Sequence, residues 1–185
     1  MTVVCSDAYS EVTSVLRSPA IGFALRLPLD AAMPVDVETA IEIQRSRAEV
    51  AAYAADPTNA VAWYENIKRV EWITPPPLGE GSSVAFEARF LGRQLVYTYE
   101  VAEYAPGERL VMRTASGPFA METTYTWEDT PTGGARMTLR NRGEPAGFSR
   151  FATPLMRSAI RRANRKDLRR LRDILEQTRL STRRP

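Results

Sequence analysis

The chain has 185 residues, of which 44% are hydrophobic, and this is enough for one domain with a substantial core. It contains no His and a single Cys, so histidine-based catalysis, cysteine-pair zinc sites and internal disulfides are excluded. The net charge of +3 hides an asymmetry, because residues 149–185 hold twelve Lys and Arg against three acidic residues.

The compartment is predicted from the same composition. A lone Cys5 indicates a reducing environment, and no segment approaches the roughly 20 continuous apolar residues of a membrane-spanning helix. The stretch 20–29 has the length of a signal-peptide core, but Arg26 interrupts it and Pro28 follows. The sequence therefore predicts a cytoplasmic protein.

Residues 1–34 show no sustained periodicity, and Pro19, Pro28 and Pro34 interrupt any regular element there. We expect a poorly ordered extension. Because the patterned region begins just after Met33, one hypothesis takes Met33 as the biological start, and a genuine N-terminal arm is the alternative.

The first patterned segment, residues 37–43, alternates apolar and polar residues and predicts a half-buried strand. Ser46 and Glu49 then match a capping box, which predicts a helix that ends at Asp56. A second short helix over 58–63 and a strand over 70–74 follow. Two short helices are thus expected between the first two strands.

Five further strands are predicted in succession, with short connections between them. They cover residues 83–90, 94–103, 109–115, 121–128 and 135–142. Because short connections join strands that lie side by side, these strands are expected to be antiparallel neighbours.

The last predicted element is a long helix over residues 149–177, which contain no Gly and only Pro154 near the start. Its apolar face recurs at three- and four-residue spacing and comprises Met156, Ala159, Ile160, Ala163, Leu171, Ile174 and Leu175. Residues 178–185 are expected to form a frayed basic tail. This order of elements predicts an α+β fold in which a curved antiparallel sheet wraps around one helix and leaves an apolar cavity.

Several short fragments occur in a characteristic order. They are Trp63, Leu78-Gly79-Glu80-Gly81, Gly92, the run 101–107, Gly117-Pro118, Tyr125-Thr126-Trp127-Glu128 and the run 167–172. Through the order of these fragments the chain resembles the START-related SRPBCC superfamily, in particular its polyketide cyclase/dehydrase and lipid-transport branch. The resemblance covers residues 35 to about 177. The resemblance implies a helix-grip fold with a deep hydrophobic cavity, whose members bind or carry lipids, sterols, polyketides and plant hormones, or cyclise polyketides.

Strand alternation gathers apolar side chains on the sheet face that should meet the helix. The predicted ligand-binding residues are Trp63, Trp72, Phe86, Tyr97, Tyr99, Met112, Tyr125, Trp127, Met156 and Ile160. The alternative is that they only fill a core. The tyrosines are the strongest candidates, because a buried phenol needs a hydrogen-bond partner that a ligand could supply. No metal and no cofactor is predicted.

Charged residues within the strands are expected on the outer face, in cross-strand ion pairs. They are Glu87, Arg89, Arg113, Glu122, Arg136 and Arg140. A slip of one residue in register would turn Glu122 or Arg113 inward. Asp167 falls on the apolar side of the long helix, where it could anchor a polar ligand group, although an ion pair with a neighbouring Arg is favoured.

The long helix also carries a basic face made of Arg157, Arg161, Arg165 and Arg169. It is interpreted either as a solvated face or as a surface that docks on an anionic membrane. Nucleic acid is not expected as a partner, because the aromatic platforms and motifs of nucleic-acid binders are missing from the sequence.

The function that the sequence favours is non-catalytic binding or carriage of a hydrophobic small molecule. A cyclase or dehydratase acting on a polyketide-like substrate is the first alternative. A regulatory module that docks through the basic helix is the second.

Overall fold

Seven strands and three helices follow one another in the computed structural model, which describes residues 35–90, 92–117, 120–144 and 153–182. The elements are β1 (Val35–Ile43), α1 (Arg47–Ala55), a 3-10 turn (Pro57–Asn59), α2 (Ala60–Trp63), β2 (Ile67–Trp72), β3 (Ser83–Phe90), β4 (Arg93–Ala105), β5 (Arg109–Ser116), β6 (Ala120–Asp129), β7 (Ala135–Glu144) and α3 (Thr153–Thr182). Each element predicted from residue 37 onward has a counterpart. The predictions for residues 1–34 and for the start of the long helix at residue 149 lie outside the described residues.

The strands form one curved antiparallel sheet in the order β1-β7-β6-β5-β4-β3-β2. From β2 to β7 each strand pairs with the next, as the short connections predict. Strand β1 pairs instead with β7, so the first two strands lie at opposite edges of the sheet. The chain between them must cross the sheet, and this crossing consists of α1, the 3-10 turn and α2.

The predicted capping box fixes the start of this crossing. The Ser46 side chain accepts a hydrogen bond from the Glu49 backbone N–H (3.3 Å), and the Glu49 carboxylate accepts one from the Ser46 backbone N–H (3.1 Å). Two N–H groups that the helix itself cannot satisfy thereby gain partners. Helix α1 then contacts β6 and β7, while α2 contacts β2 and α3.

The core lies between one face of the sheet and the helices. On β3, for example, Val84, Phe86 and Ala88 are buried, whereas the next residue, Arg89, is exposed. Alternation of this kind is what places one side of each strand against the helices.

Helix α3 buries the predicted apolar face mainly in its C-terminal half, where Leu171 and Leu175 are buried as expected. Its buried residues are Asn164, Asp167, Leu168, Leu171 and Leu175, whereas Met156, Ile160 and Ala163 are only half-buried. The prediction treated every residue of the apolar face alike, but α3 packs on β1 and α2 mainly through its C-terminal half. Two polar side chains lie on that packed face.

The end of α3 also differs from the prediction. The helix continues to Thr182, although a frayed tail was expected from Thr178. No Gly or Pro occurs between these positions to end the helix. Within the described part of the chain, no helix combines the length and apolar character that a membrane crossing needs.

The packing of α3 can be tested by truncating one buried leucine. Leu171 is fully buried in the core, so Leu171→Ala should lower the free energy of unfolding by about 2–5 kcal/mol. Leu155→Ala on the same helix is the matched control, because that side chain is 76% exposed and should change stability by no more than about 0.5 kcal/mol. Equal losses in chemical denaturation would show that the C-terminal half of α3 does not pack as described.

Candidate functional site

A cavity of about 90 Å³ lies between the sheet and the helices α1 and α2. Its sixteen lining residues are Ala54, Ala55, Pro57, Ala60, Trp63, Tyr64, Ile67, Phe86, Tyr97, Tyr99, Leu110, Met112, Met121, Thr123, Tyr125 and Asn141. The helices thus contribute mostly alanines, and the strands contribute aromatic and methionine side chains.

Six of the ten predicted ligand-binding residues line this cavity: Trp63, Phe86, Tyr97, Tyr99, Met112 and Tyr125. The other four lie elsewhere. Trp127 is buried beside Tyr125, with 6.0 Å between ring centroids, and Met156 and Ile160 are half-buried on α3. Trp72 lines a separate groove of about 370 Å³, and its indole N–H donates to the Thr58 hydroxyl (3.2 Å).

The aromatic walls of the cavity pack in two groups. Phe86, Tyr97 and Tyr99 form one, with ring centroids 5.3–5.9 Å apart. Cross-strand pairing brings them together, since Phe86 on β3 lies opposite Tyr97 on β4. In the other group, Trp63 stacks on Tyr64 at 3.9 Å.

A chain of hydrogen bonds runs from the cavity wall to α3. Thr123 donates its hydroxyl proton to the Asn141 side-chain oxygen (2.8 Å), so the Tyr99 hydroxyl must be the donor in its 3.0 Å contact with Thr123. Asn141 in turn donates to the Asn164 side-chain oxygen (3.1 Å). The chain ends at Asn164 Nδ2, which is buried and has no partner among the described residues.

Two further hydroxyls meet across the cavity, those of Tyr64 and Tyr125, whose oxygens are 2.7 Å apart. The fourth phenol, that of Tyr97, makes no hydrogen bond within the described residues, although the side chain lines the cavity. Tyr97 is therefore the one cavity tyrosine whose hydroxyl makes no hydrogen bond with another described residue.

All four cavity tyrosines are held in the protonated form. Burial raises the pKa of Tyr99 to about 12, partly offset by its hydrogen bond to Thr123. Burial also raises the pKa values of Tyr64, Tyr97 and Tyr125 above the ordinary value of 10.0. At neutral pH these groups are hydrogen-bond donors and not bases.

Asp167 is a buried carboxyl group whose charge acts on two of the cavity tyrosines. It is 2% exposed and accepts a hydrogen bond from the Glu65 backbone N–H (2.9 Å). Burial raises its pKa to about 6, and its charge contributes to the raised pKa of Tyr64 and Tyr125. The favoured ion pair with an Arg is not found among the described residues, because the neighbouring basic side chains are on the exposed side of α3.

The charged strand residues lie on the outer face of the sheet, as predicted. Arg113 pairs with Glu122 (3.0 Å) across β5 and β6, and Glu87 accepts from Arg69 at 3.5 Å. Arg140 binds both carboxylate oxygens of Asp36 (2.8 and 2.6 Å). Neither Glu87 nor Glu122 lines the cavity.

The polar residues of the site, namely Tyr64, Thr123, Asn141 and Asn164, were not predicted from the sequence. A signal for Asn164 was present. It lies four residues before Leu168 and seven before Leu171, so it belongs on the same helix face as these leucines. Strand alternation likewise places Thr123 on the face of Tyr125 and Asn141 on the face of Leu139, whereas Tyr64, after α2, had no such signal.

Similarity to known proteins agrees with this geometry. A family model described as polyketide cyclase/dehydrase and lipid transport matches residues 34–176. No curated protein matches the chain at the level of sequence.

Solved structures share the fold at low sequence identity. A START superfamily protein from Mycobacterium smegmatis is 15% identical, with a TM-score of 0.66, over 77% of this chain and 98% of that one. The Zhui aromatase/cyclase from Streptomyces sp. R1128 is 13% identical, with a TM-score of 0.65, over 77% and 93%. The protein TTHA0849 from Thermus thermophilus is 17% identical, with a TM-score of 0.65, over 75% and 94%. The predicted helix-grip fold is thereby confirmed.

The burial of Asp167 predicts a pH-dependent contribution to stability. Because its pKa is raised from 3.8 to about 6, the neutral form is favoured in the folded state, and the resulting stability is lost as the pH rises through that range. Asp167→Asn stays neutral, so its stability relative to the unchanged protein should increase between about pH 4 and pH 6. Denaturation across this range measures the difference. Asp173→Asn, at an exposed position on the same helix, is the control, and the same trend there would argue against a buried Asp167 as the cause.

Proposed function

The chain belongs to the polyketide cyclase/dehydrase and lipid transport family, and we propose that it binds or carries a hydrophobic small molecule in the cavity between its sheet and its helices. The lining of the cavity carries this proposal. None of its sixteen residues is charged, and most of the lining hydroxyl and amide groups are hydrogen-bonded to one another. Such a lining is typical of sites that enclose small apolar ligands.

The volume of the cavity bears on the size of the ligand. At about 90 Å³ it is well below the roughly 300–1,000 Å³ of pockets that bury drug-sized molecules. A lipid or polyketide would therefore enter only if side chains of the wall move, whereas a compact ligand needs less rearrangement.

An enzyme of the cyclase or dehydratase type is the second candidate, and Asp167 is the observation that favours it. A buried carboxyl group with a pKa near 6 is suited to proton transfer at neutral pH. The similarity in fold to an aromatase/cyclase is compatible with this function. The binding function is preferred because the cavity lining itself offers no group that titrates near neutrality.

The basic face of α3 supports a separate proposal, docking on an anionic membrane surface. Arg157, Arg161, Arg165 and Arg169 are exposed, and none makes an ion pair within the described residues. Each such charge near an anionic bilayer contributes about 1 kcal/mol of attraction. Because the four are spaced by four residues, they lie along one side of the helix.

The binding proposal can be tested with apolar probes that range in size from benzene to a fatty acid. Binding should change the fluorescence of Trp63, which lines the cavity. Ala54→Met should weaken probe binding, because the longer side chain fills the cavity. Ala48→Met, at an exposed position of the same helix, is the matched control and should bind as the unchanged protein does. Failure of every probe to bind would contradict the proposal. Turnover of a poly-β-ketone that is lost in Asp167→Asn while probe binding persists would favour the enzyme.

Membrane docking predicts salt-sensitive co-sedimentation with phosphatidylserine vesicles. The double change Arg161→Glu and Arg165→Glu should weaken this binding by more than about tenfold, because it removes two attractions and adds two repulsions. The control is Arg89→Glu with Arg136→Glu, which changes the net charge equally at exposed positions of the sheet. Equal effects of the two double changes would mean that α3 is not the docking surface.

A further inference from the structure

Not every hydroxyl proton of the cavity is used in the hydrogen bonds of the described residues. The Tyr99 proton goes to Thr123, and the Thr123 proton goes to Asn141. Tyr64 and Tyr125 share one hydrogen bond, which uses only one of their two protons. The proton of Tyr97 is not used by any described residue, so two phenolic protons are left over.

Tyr97 and the Tyr64–Tyr125 pair line the same cavity. Tyr97 contributes to the raised pKa of Tyr64, and Tyr125 contributes to the raised pKa of Tyr97. When a ligand fills the cavity and displaces water, a phenol left without an acceptor costs roughly 1–3 kcal/mol, so an acceptor on the ligand within reach of these hydroxyls would avoid that cost. A carbonyl oxygen has two lone pairs and can accept both protons.

The charge of the ligand follows from the lining. None of the lining residues is an Arg or a Lys, so an anion would lose its hydration without gaining a counter-ion. The acceptor is therefore expected on a neutral molecule.

The size of the ligand follows from the volume. An apolar cavity of about 150 Å³ accommodates benzene in a well-studied engineered protein, and a water molecule takes about 30 Å³ of liquid. A cavity of about 90 Å³ suits a molecule with about three or four heavy atoms and no long chain.

We propose that the cavity selects a compact, neutral molecule with a hydrogen-bond acceptor, of which a small ketone is the simplest example, and that the Tyr97 hydroxyl is the donor that selects it. This inference rests on the proposed binding function and narrows the class of ligand from hydrophobic molecules in general to compact, neutral molecules with an acceptor. Phe86 and Tyr99 hold the Tyr97 ring by stacking and edge contacts, so the donor is held in place before the ligand enters.

The experiment compares two ligands of nearly the same shape, acetone and 2-methylpropene, which have about four heavy atoms each, the size that the cavity suits, and differ in having an oxygen or a CH₂ group. Binding to the full chain is followed by NMR of 13C-labelled methionine methyl groups. Met112 and Met121 line the cavity and report binding there, whereas Met137 is buried outside the lining and serves as an internal reference.

Tyr97→Phe keeps the ring and removes only the hydroxyl. It should weaken acetone binding by about tenfold and 2-methylpropene binding by less than about twofold. Tyr104→Phe is the control, since Tyr104 is half-buried and lines the separate groove. This change should alter the affinity for neither ligand. Thermal unfolding of both variants checks that each is folded.

The outcomes separate this inference from the proposed function. If Tyr97→Phe weakens both ligands equally, or neither, the Tyr97 proton is satisfied by water and the inference is overturned, while the binding function stands. If neither ligand binds but a fatty acid does, the inference on size is wrong and the binding function still stands. If no apolar probe of any size binds, both fail.

Discussion

The packing of α3 against β1 and α2 is the constraint on which the cavity depends. The packed face of this helix consists of three leucines with Asn164 and Asp167 among them. Leucines alone would allow the helix to shift along the sheet, because apolar contacts are not directional. Buried polar groups require partners at defined distances, and here the partners are Asn141 on β7 and the backbone N–H of Glu65 after α2. The helix is thereby held both at Asn141, which lines the cavity, and at the chain that follows α2.

The cavity itself arises from a mismatch in side-chain size. Interiors of proteins are close-packed, so an unfilled volume needs a cause. Here α1 and α2 present Ala54, Ala55 and Ala60 towards a sheet face that carries large aromatic rings. The rings are held by contacts with one another and do not collapse onto the alanines. Short side chains on the crossing helices thus preserve a space that the strands alone would not create.

The fold could be predicted from the sequence to within a few residues at most element ends, because local patterns decide it. The capping box at Ser46, the alternation on β3 and the glycine turns between strands are short-range signals, and the structure shows each of them. The aromatic half of the site was predictable for the same reason. The polar half was not: Thr123 and Asn141 come together only through the register of β6 and β7, which a single sequence does not contain. Met156 and Ile160 were given too much weight because hydrophobicity alone does not show which half of a long helix packs.

The arrangement of the site bears on the choice between binding and catalysis. Acid–base chemistry requires a titrating group within hydrogen-bond reach of the substrate. Inside the cavity the titratable groups are phenols, and burial moves each pKa further from neutrality. Asp167 has the suitable pKa, but it does not line the cavity, and its carboxylate already accepts from the Glu65 backbone N–H. Its protonation can alter the Tyr64–Tyr125 pair through the electric field, but contact with a ligand would require Tyr64 or its neighbours to move. A cavity that offers fixed donors without a base can orient an acceptor without transforming it, and this is the physical argument behind the binding function proposed above.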